Sequence, residues 1–202
     1  LVGYGSPKKY RIVQRAKITN RDTDLRRLEV WIPVPLDWPE QTIAAPGISP
    51  EAEMVADPGG RYRFARWLFT ENLPAPGKSL ELSVACDATI RSMTADLDRA
   101  AALQFGQYED NNVFSMYTRP ETQVESTDPQ IVAIAEELRE KNETPLAAAR
   151  AAYRHVLGHM TYKLVNGLKG AKHCMEQGQG ECGDYSAWFV ALCRAMKIPA
   201  RC

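Results

Sequence analysis

Apolar residues alternate with polar residues over three stretches in the first half of the chain. Alternation with a period of two puts every second side chain on one face, so these stretches predict β-strands with one buried face. Turn sequences such as NRDTD, DPGG and PAPGK separate them, and the proline-rich stretch from Pro33 to Pro50 predicts a long loop. This series is typical of an antiparallel β-sandwich. The alternating residues are Tyr10, Ile12, Ala16 and Ile18, then Leu28, Val30 and Ile32, then Leu80, Leu82, Val84, Ala88 and Ile90.

The second half of the chain changes to a helical period. Asp128 before Pro129 predicts the start of one helix and Thr144 before Pro145 the start of another, because these side chains cap helices and proline fits the first helical position. Apolar residues then recur at spacings of three and four, which gives each helix one buried face. They are Ile131, Ile134, Ala135 and Leu138 in the first helix, and Leu146, Ala149, Tyr153, Val156, Leu157 and Met160 in the second.

The change of period divides the chain into three parts. We predict a β-sandwich domain over residues 1–105, a polar and turn-rich linker over 106–126, and a helical domain over 127–202. A short helix is expected near TADLDRAAALQF, between the two halves. The predicted fold class is therefore α+β, with an antiparallel sandwich first and helices second.

Composition and charge exclude several classes of protein. The chain has 202 residues, of which 45% are hydrophobic and 25% charged, so it has enough apolar residues for a sizeable core. Lysine plus arginine equals aspartate plus glutamate at 25 each, so the net charge gives no attraction to nucleic acid or anionic lipid. No run approaches the roughly 20 apolar residues of a membrane helix. Five cysteines at irregular spacing predict neither a disulfide framework nor a zinc site.

Candidate chemistry lies in the stretch GQGECGDYSAWFVALCRAMKIPARC, residues 178–202. Apolar residues from Tyr185 onward predict a helix that ends before Pro199, with Cys182 in its first turn and on the same inward face. The free N–H groups and the positive dipole end of a helix N-terminus favour a thiolate over a thiol. Glycines around Cys182 let a substrate backbone approach the sulfur. Both features suit a nucleophile.

A buried structural thiol is the alternative interpretation of Cys182, because free cysteine commonly acts as a small buried apolar residue. Cys86 lies on the inward parity of a predicted strand and Cys193 within the predicted helix, so both are expected in the core. Cys174 and Cys202 are expected in a loop or at the start of a strand. Position alone leaves both interpretations of Cys182 standing.

The histidines and the nearby charged residues have simpler interpretations. His155 and His159 fall opposite the predicted apolar face of their helix, which indicates a solvated face rather than a catalytic or metal-binding pair. His173 opens the stretch HCMEQGQGEC, whose spacing matches no common metal site, so no metal is predicted. Glu181 and Asp184 are expected to be first-turn acids that complement the helix dipole. Arg194 and Arg201 are expected to be structural.

The segment around Cys182 reads GxGxCxDYxxxFxxLxRxxxIPAR, with Gly178, Gly180, Cys182, Asp184, Tyr185, Phe189, Leu192, Arg194 and Ile198 to Arg201 at the named positions. This pattern resembles the nucleophile segment of the transglutaminase-like superfamily, whose enzymes have a papain-like cysteine-proteinase fold. The helix AAARAAYRHVLGHMTYKL resembles the one that precedes the nucleophile turn, and the β-rich half is similar to N-terminal domains that often precede such cores in bacterial proteins. Lys197 departs from the family, which usually has glycine there.

The resemblance implies that Cys182 is catalytic, with a histidine as its base and an aspartate that orients the histidine, both on strands after the IPAR segment. The chain ends at Cys202, and no residue in it matches either partner. We therefore expect the sequence to hold the N-terminal half of a transglutaminase-like core and to be inactive by itself. We also expect it to self-associate through apolar surface left exposed near Trp188 and Phe189.

Two functions fit these observations. In the first, the Cys182 thiolate attacks a peptide or glutamine-type amide of a peptide or protein substrate, and the thioester passes to water, as in a protease or amidase, or to an amine, as in a transglutaminase. In the second, the β-domain recognises a partner and the core is a silent scaffold. No cofactor is expected, because the chain has no Walker sequence and no G-x-G-x-x-G after a strand. Family members of this build are often exported, so the resemblance favours an extracytoplasmic location.

Overall fold

The structure is a computed structural model that describes residues 2–44, 46–57, 60, 62–108 and 112–202, the side chains at 112 and 113 excepted. Its contacts divide the chain into two compact units, Val2–Ala95 and Asp96–Cys202. In the described residues the first unit consists of strands, and the helices that follow Asp96 belong to the second. The predicted α+β class with antiparallel sheets is confirmed.

The first unit contains β1 (Val2–Tyr4), β2 (Lys8–Thr19), β3 (Leu28–Pro33), β4 (Gln41–Ile43), β5 (Gly47–Ser49), β6 (Glu53–Ala56), β7 (Arg63–Phe69), β8 (Ser79–Ile90) and β9 (Met93–Ala95). β2 and β8 pair antiparallel along their whole length, from Lys8 opposite Ile90 to Thr19 opposite Ser79. β4 and β5 also pair antiparallel with β8. A second antiparallel sheet has the order β3-β7-β6, and β1 pairs with β9.

The two larger sheets contribute side chains to one apolar core. The alternation predicted for β8 is confirmed, since Leu82 and Val84 are buried together with Ile32 and Trp67 from the other sheet. Full burial of such a side chain contributes about 1.5–3 kcal/mol to stability. The Trp67 indole N–H donates to the carbonyl of Pro50 at 2.9 Å, so the polar atom of this core residue is satisfied.

The loop predicted from Pro33 to Pro50 is wrong in part, because the segment contains β4 and β5. Each of these strands is three residues long and lies between prolines, so neither shows a period in the sequence. They form by pairing with the 12-residue β8, whose edge would otherwise present unpaired backbone groups. Residue 45 of this segment lies outside the described residues, as do residues 58 and 59 of the predicted DPGG turn.

The second unit contains α1 (Leu97–Ala101), α2 (Asn112–Thr118), α3 (Pro129–Glu140), α4 (Pro145–His159), β10 (Thr161–Tyr162), α5 (Ala171–Gln177), β11 (Gln179–Gly180) and α6 (Cys182–Ala195). α6 contacts α2, α3, α4 and α5 and is therefore the central helix of this unit. β10 and β11 pair in parallel, with Tyr162 opposite Gly180, just before α6 begins. None of the described helices is long and apolar enough to cross a membrane.

The predicted starts of α3 and α4 are confirmed. Asp128 Oδ1 accepts the backbone N–H of Gln130 at 3.0 Å, and Thr144 Oγ1 accepts that of Ala147 at 3.3 Å. Each helix then begins at a proline, whose missing N–H needs no partner there. A side-chain cap of this kind contributes about 1 kcal/mol. The local sequence therefore marks where both helices begin.

The buried face of α4 differs in part from the predicted one, although Val156 and Met160 are buried as predicted. Ala148, Ala152 and Val156 are buried, whereas Tyr153 and Leu157 are 56% and 49% exposed. Alanine side chains let a helix approach its neighbour closely, and α4 contacts α6. Tyr153 lies at the edge of this contact, where its ring meets that of Phe189 in α6 edge to face at 6.3 Å.

The predicted domain boundaries, at residues 105 and 126, remain predictions. The division of contacts falls after Ala95, ahead of the predicted boundary at residue 105, and α2 lies within the predicted linker 106–126. Residues 109–111 of that linker lie outside the described residues. The short helix expected near TADLDRAAALQF is α1.

Candidate functional site

Cys182 is the first residue of α6, and its side chain is exposed. The prediction that it lies on the inward face of the helix is wrong. The buried face runs through Asp184, Ala187 and Trp188 instead, and Asp184 is about 200° around the helix from Cys182. Cys182 shares its face with Ser186, whose hydroxyl donates to the Cys182 carbonyl at 2.9 Å. The thiol is therefore accessible to a substrate.

Backbone N–H groups at the start of α6 are available to a ligand. Asp184 and Tyr185 donate to the carbonyl of Glu181 at 2.9 and 3.1 Å, which closes the first turn. Within the described part of the chain, the N–H groups of Cys182 and Gly183 donate to no protein acceptor. These two N–H groups and the positive end of the helix dipole attract negative charge at the sulfur or on an oxygen beside it.

Asp184 is a fully buried carboxylate that joins α6 to the loop before α5. Its Oδ1 accepts the N–H groups of Lys169 at 2.8 Å and Gly170 at 3.4 Å, and its Oδ2 accepts that of Glu181 at 3.1 Å. Burial acts to raise the pKa of Asp184, but hydrogen bonds from Lys169, Glu181, Gly170 and the Cys174 thiol together hold that pKa below its ordinary value. The carboxylate is therefore ionised and fixes the residue that precedes Cys182.

The sequence predicts a smaller role for Asp184, as a first-turn acid that complements the helix dipole. Its bond to Glu181 agrees with that role, but its bonds to residues 169 and 170 leave the helix altogether. The tight packing also explains a glycine of the sequence pattern, because a Cβ on Gly180 would lie 2.6 Å from the Cβ of Asp184. The co-occurrence of Gly180 and Asp184 in the quoted pattern is the signal that points to this contact.

The other cysteines differ from Cys182 in their surroundings. Cys86, Cys174 and Cys193 are buried, and Cys202 is exposed. The core positions predicted for Cys86 and Cys193 are confirmed, whereas the loop or strand start predicted for Cys174 is wrong, because Cys174 lies in α5. Burial raises the pKa of Cys174 and of Cys193 to about 12. Neither of these two thiols forms appreciable thiolate near neutral pH.

His155 and His159 pack against α6, and the predicted solvated face is wrong only in part, because His155 is half-buried whereas His159 is exposed as predicted. Their rings stack with centroids 4.0 Å apart, and both meet the Trp188 ring edge to face, at 5.5 and 6.4 Å. His159 Nδ1 lies 2.7 Å from the carbonyl oxygen of His155. Burial of His155, and the neighbouring His159, lower the pKa of His155.

The third histidine, His173, lies in α5 and is exposed. In the residues that the structure describes, no hydrogen bond joins a histidine to Cys182. The same residues contain no cluster of three or more His, Cys, Asp or Glu side chains that could hold a metal ion. The described residues therefore assign no base to the Cys182 thiol.

Arg194 has the contacts of a structural residue. It is buried near the end of α6, where Nε donates to the carbonyl of Ala200 at 2.9 Å and Nη1 to that of Arg119 at 2.8 Å. Nη1 also lies 3.1 Å from Oε2 of Glu121. The guanidinium thus ties the end of α6 to the residues after it, through Ala200, and to the segment before α3, through Arg119 and Glu121.

The helical unit matches a known family over most of its length. Residues 132–202 match the model of the transglutaminase-like superfamily. The segment that carries Cys182 is transglutaminase-like. The match begins within α3 and includes α4, α5 and α6. The resemblance indicated by the pattern around Cys182 is therefore confirmed.

A solved structure shares the fold of the chain, including its transglutaminase-like segment. It is described as "a Putative Cysteine Protease from Cytophaga hutchinsonii", and it superposes with a TM-score of 0.74 at 17% sequence identity. The aligned region covers 98% of this chain and 67% of that protein. A comparison with curated proteins finds no match. The comparisons thus show a transglutaminase-like segment within a fold that a solved structure shares.

Proposed function

We propose that the protein is a transglutaminase-like cysteine enzyme in which Cys182 is the nucleophile. The observation that carries the proposal is the exposed thiol at the first residue of α6, inside the segment that matches the family. Cys86, Cys174 and Cys193 are buried and so cannot meet a substrate carbonyl. Cys202 is exposed but does not lie at a helix start.

The chemistry follows from a thiolate beside free backbone N–H groups. The sulfur of Cys182 attacks the carbonyl carbon of a peptide or glutamine-type amide, which forms a C–S bond and places negative charge on the carbonyl oxygen. The N–H groups of Cys182 and Gly183 donate to that oxygen. The C–N bond then breaks, the amine leaves with a proton, and a thioester remains. Attack by water gives a carboxylic acid and restores the thiol, whereas attack by an amine gives a new amide.

Proton transfer requires a partner for Cys182. The resemblance implies a histidine held by an aspartate, which takes the thiol proton and later gives it to the leaving amine. The proposal places neither of these residues among those described here, because none of the described histidines hydrogen-bonds to Cys182. Hydrolysis and acyl transfer share the acylation step, so that step is the one to test first.

An activated ester tests acylation without the need for a proton donor to the leaving group. The leaving group of 4-nitrophenyl acetate departs as a stable anion, so the reaction depends on the nucleophile alone. Wild-type protein, Cys182→Ser and the matched variant Cys202→Ser are treated with the ester, and the acetylated peptides are identified by mass spectrometry. We expect acetylation at Cys182 in the wild type and in Cys202→Ser, faster than that of glutathione at equal thiol concentration. Acetylation of Cys202 before Cys182 contradicts the proposal.

A further inference from the structure

An exposed leucine side chain lies beside Gly183, the residue that follows the proposed nucleophile. A Cβ on Gly183 would lie 3.0 Å from Cδ1 of Leu168, so the Leu168 side chain packs over the residue that follows Cys182. Leu168 is 40% exposed, and Cys182 is exposed as well. The leucine and the thiol therefore border the same patch of surface.

Backbone contacts hold Leu168 in this place. Its carbonyl accepts the side-chain N–H of Gln123 at 2.8 Å, and the next residue, Lys169, donates its N–H to Asp184 in α6 at 2.8 Å. Ala171 donates its N–H to the carbonyl of Gln123 at 3.0 Å. The loop is thus anchored to α6 by a buried carboxylate directly after Leu168. A side chain presented by an anchored backbone meets a ligand at little entropic cost.

A second apolar side chain belongs to the strand next to the nucleophile. Tyr162 is opposite Gly180 in the β10–β11 pair, and Gly180 precedes Cys182 by two residues. Tyr162 is 60% exposed. Single exposed apolar residues are ordinary on protein surfaces, so exposure alone decides nothing. Both residues lie against the start of α6, Leu168 at Gly183 and Tyr162 opposite Gly180, so they are the apolar residues to consider for a substrate that reacts at the sulfur.

We propose that Leu168 determines specificity by contacting an apolar side chain close to the reacting carbonyl of the substrate. The preferred substrates are peptides and amides with an aliphatic or aromatic group at that position, rather than an acidic one. This proposal rests on the nucleophilic role proposed for Cys182. Contact between two apolar groups removes both from water, so it favours such substrates in proportion to the area covered.

Two alkylating reagents that differ by one apolar group test the contact without turnover. Iodoacetamide and N-phenyl iodoacetamide have the same reactive carbon, and the second adds a phenyl ring. The rate constant of each at Cys182 is measured by mass spectrometry of the peptide that contains it, so other thiols do not enter. The rate constant for N-phenyl iodoacetamide is divided by that for iodoacetamide. Dividing this ratio by the same ratio for glutathione removes the difference in intrinsic reactivity between the two reagents. We expect a normalised ratio of about 5, the gain from covering a few tens of Å² of apolar surface.

Variants assign the preference to Leu168. Leu168→Ala is expected to lower the normalised ratio about 3-fold, since most of the apolar contact is lost. Leu164→Ala is the matched control, because Leu164 lies in the same segment and is 76% exposed. It is expected to leave the ratio unchanged. Gly183→Ala should lower the ratio as well, because the added Cβ displaces the end of the Leu168 side chain.

The outcomes separate this proposal from the one on which it rests. A normalised ratio near 1 for the wild type, or an equal loss in Leu164→Ala and Leu168→Ala, overturns the role of Leu168. Absence of acetylation at Cys182 by 4-nitrophenyl acetate overturns the proposed function instead. Circular dichroism of each variant establishes that the helices are intact, so that a changed ratio reports the contact and not unfolding.

Discussion

The carboxylate of Asp184 accepts the backbone N–H of Lys169 at 2.8 Å, across 15 residues of sequence. It also accepts the N–H of Glu181, the residue before Cys182, at 3.1 Å. One buried side chain therefore fixes both the loop that presents Leu168 and the start of the helix that presents Cys182. Because Asp184 is fully buried, the N–H donors around this carboxylate stabilise its charge, and its removal leaves them without an acceptor.

Asp184→Ala is expected to destabilise the protein by about 2–4 kcal/mol, because the N–H groups of Lys169 and Glu181 lose their acceptor inside the fold. Urea unfolding followed by circular dichroism measures the loss. The matched control is Thr144→Ala, which removes a side chain that caps α4 and is expected to cost about 1 kcal/mol. Equal losses for the two variants would contradict the special role of Asp184.

Stability should depend on pH through the same group. The pKa of Asp184 is lower in the folded protein than its ordinary value of about 3.9, so its contribution is complete above that value and is lost as the pH falls through the folded-state pKa. Between about pH 4 and pH 2.5, at and below that ordinary value, the melting temperature of the wild type should fall more than that of Asp184→Asn. If the melting temperatures of the two proteins fall in parallel with pH, the titration of Asp184 does not cause the loss of stability.

Alkylation should distinguish Cys182 from the buried thiols. Cys174 and Cys193 are inaccessible, and burial raises the pKa of each to about 12. With limiting iodoacetamide near neutral pH, we expect Cys182 to react at least roughly 10²-fold faster than either, since only the thiolate is nucleophilic. Peptide mapping gives the three rates, and Cys202 serves as the exposed reference. Earlier labelling of Cys193 would contradict the assignment.

Alanine substitution at two glycines of the helical unit should change the free energy of unfolding in opposite directions. Gly170 has φ of +99°, and a Cβ there would lie 2.9 Å from Oε1 of Glu125 and 3.0 Å from the Cα of Gln123. Gly170→Ala is therefore expected to lose about 1–3 kcal/mol. Gly158 lies in α4 with nothing within 4 Å of an added Cβ, so Gly158→Ala should gain about 0.5–1 kcal/mol. Thermal unfolding gives both signs.

The elements that follow from the sequence are those that local rules determine. The strand β8 shows its buried face by alternation, and Asp128 and Thr144 mark helix starts because a cap acts on the residues directly after it. β4 and β5 could not be predicted, since each exists only through pairing with β8, far along the chain. On the buried face of α4, Val156 and Met160 follow from the apolar pattern, but Ala148 and Ala152 do not, because alanine is too small to stand out in it.

For the candidate site, the sequence indicates the helix start and the cysteine but not their surroundings. The apolar period places Cys182 in the first turn of α6, yet the buried position there belongs to a charged residue, Asp184, which an apolar pattern assigns to the surface. The contacts of Asp184 with Lys169 and of Leu168 with Gly183 join a loop without any period to the helix. Tertiary contacts of this kind leave no local signal.

The histidine pair against Trp188 should make stability depend on pH near neutrality. Burial of His155, with His159 stacked on it, lowers the pKa of His155 below its ordinary value of about 6.5, while the carboxylate of Glu137 acts in the opposite direction. The unfolded chain therefore binds the proton more readily, so stability is highest above about pH 6.5 and falls as the pH drops below it.

The melting temperature of the wild type should thus decline between about pH 8 and pH 5.5, on either side of the ordinary histidine pKa. His155→Gln should reduce the decline, because the titrating group is gone, and Glu137→Gln should deepen it by removing the favourable charge. His173→Gln is the matched control, since that histidine is exposed on another helix. If the decline is unchanged in His155→Gln but reduced in His173→Gln, the pH dependence comes from His173, and its assignment to His155 is wrong. Because Trp188 is in the nucleophile helix, the same protonation bears directly on how α6 packs.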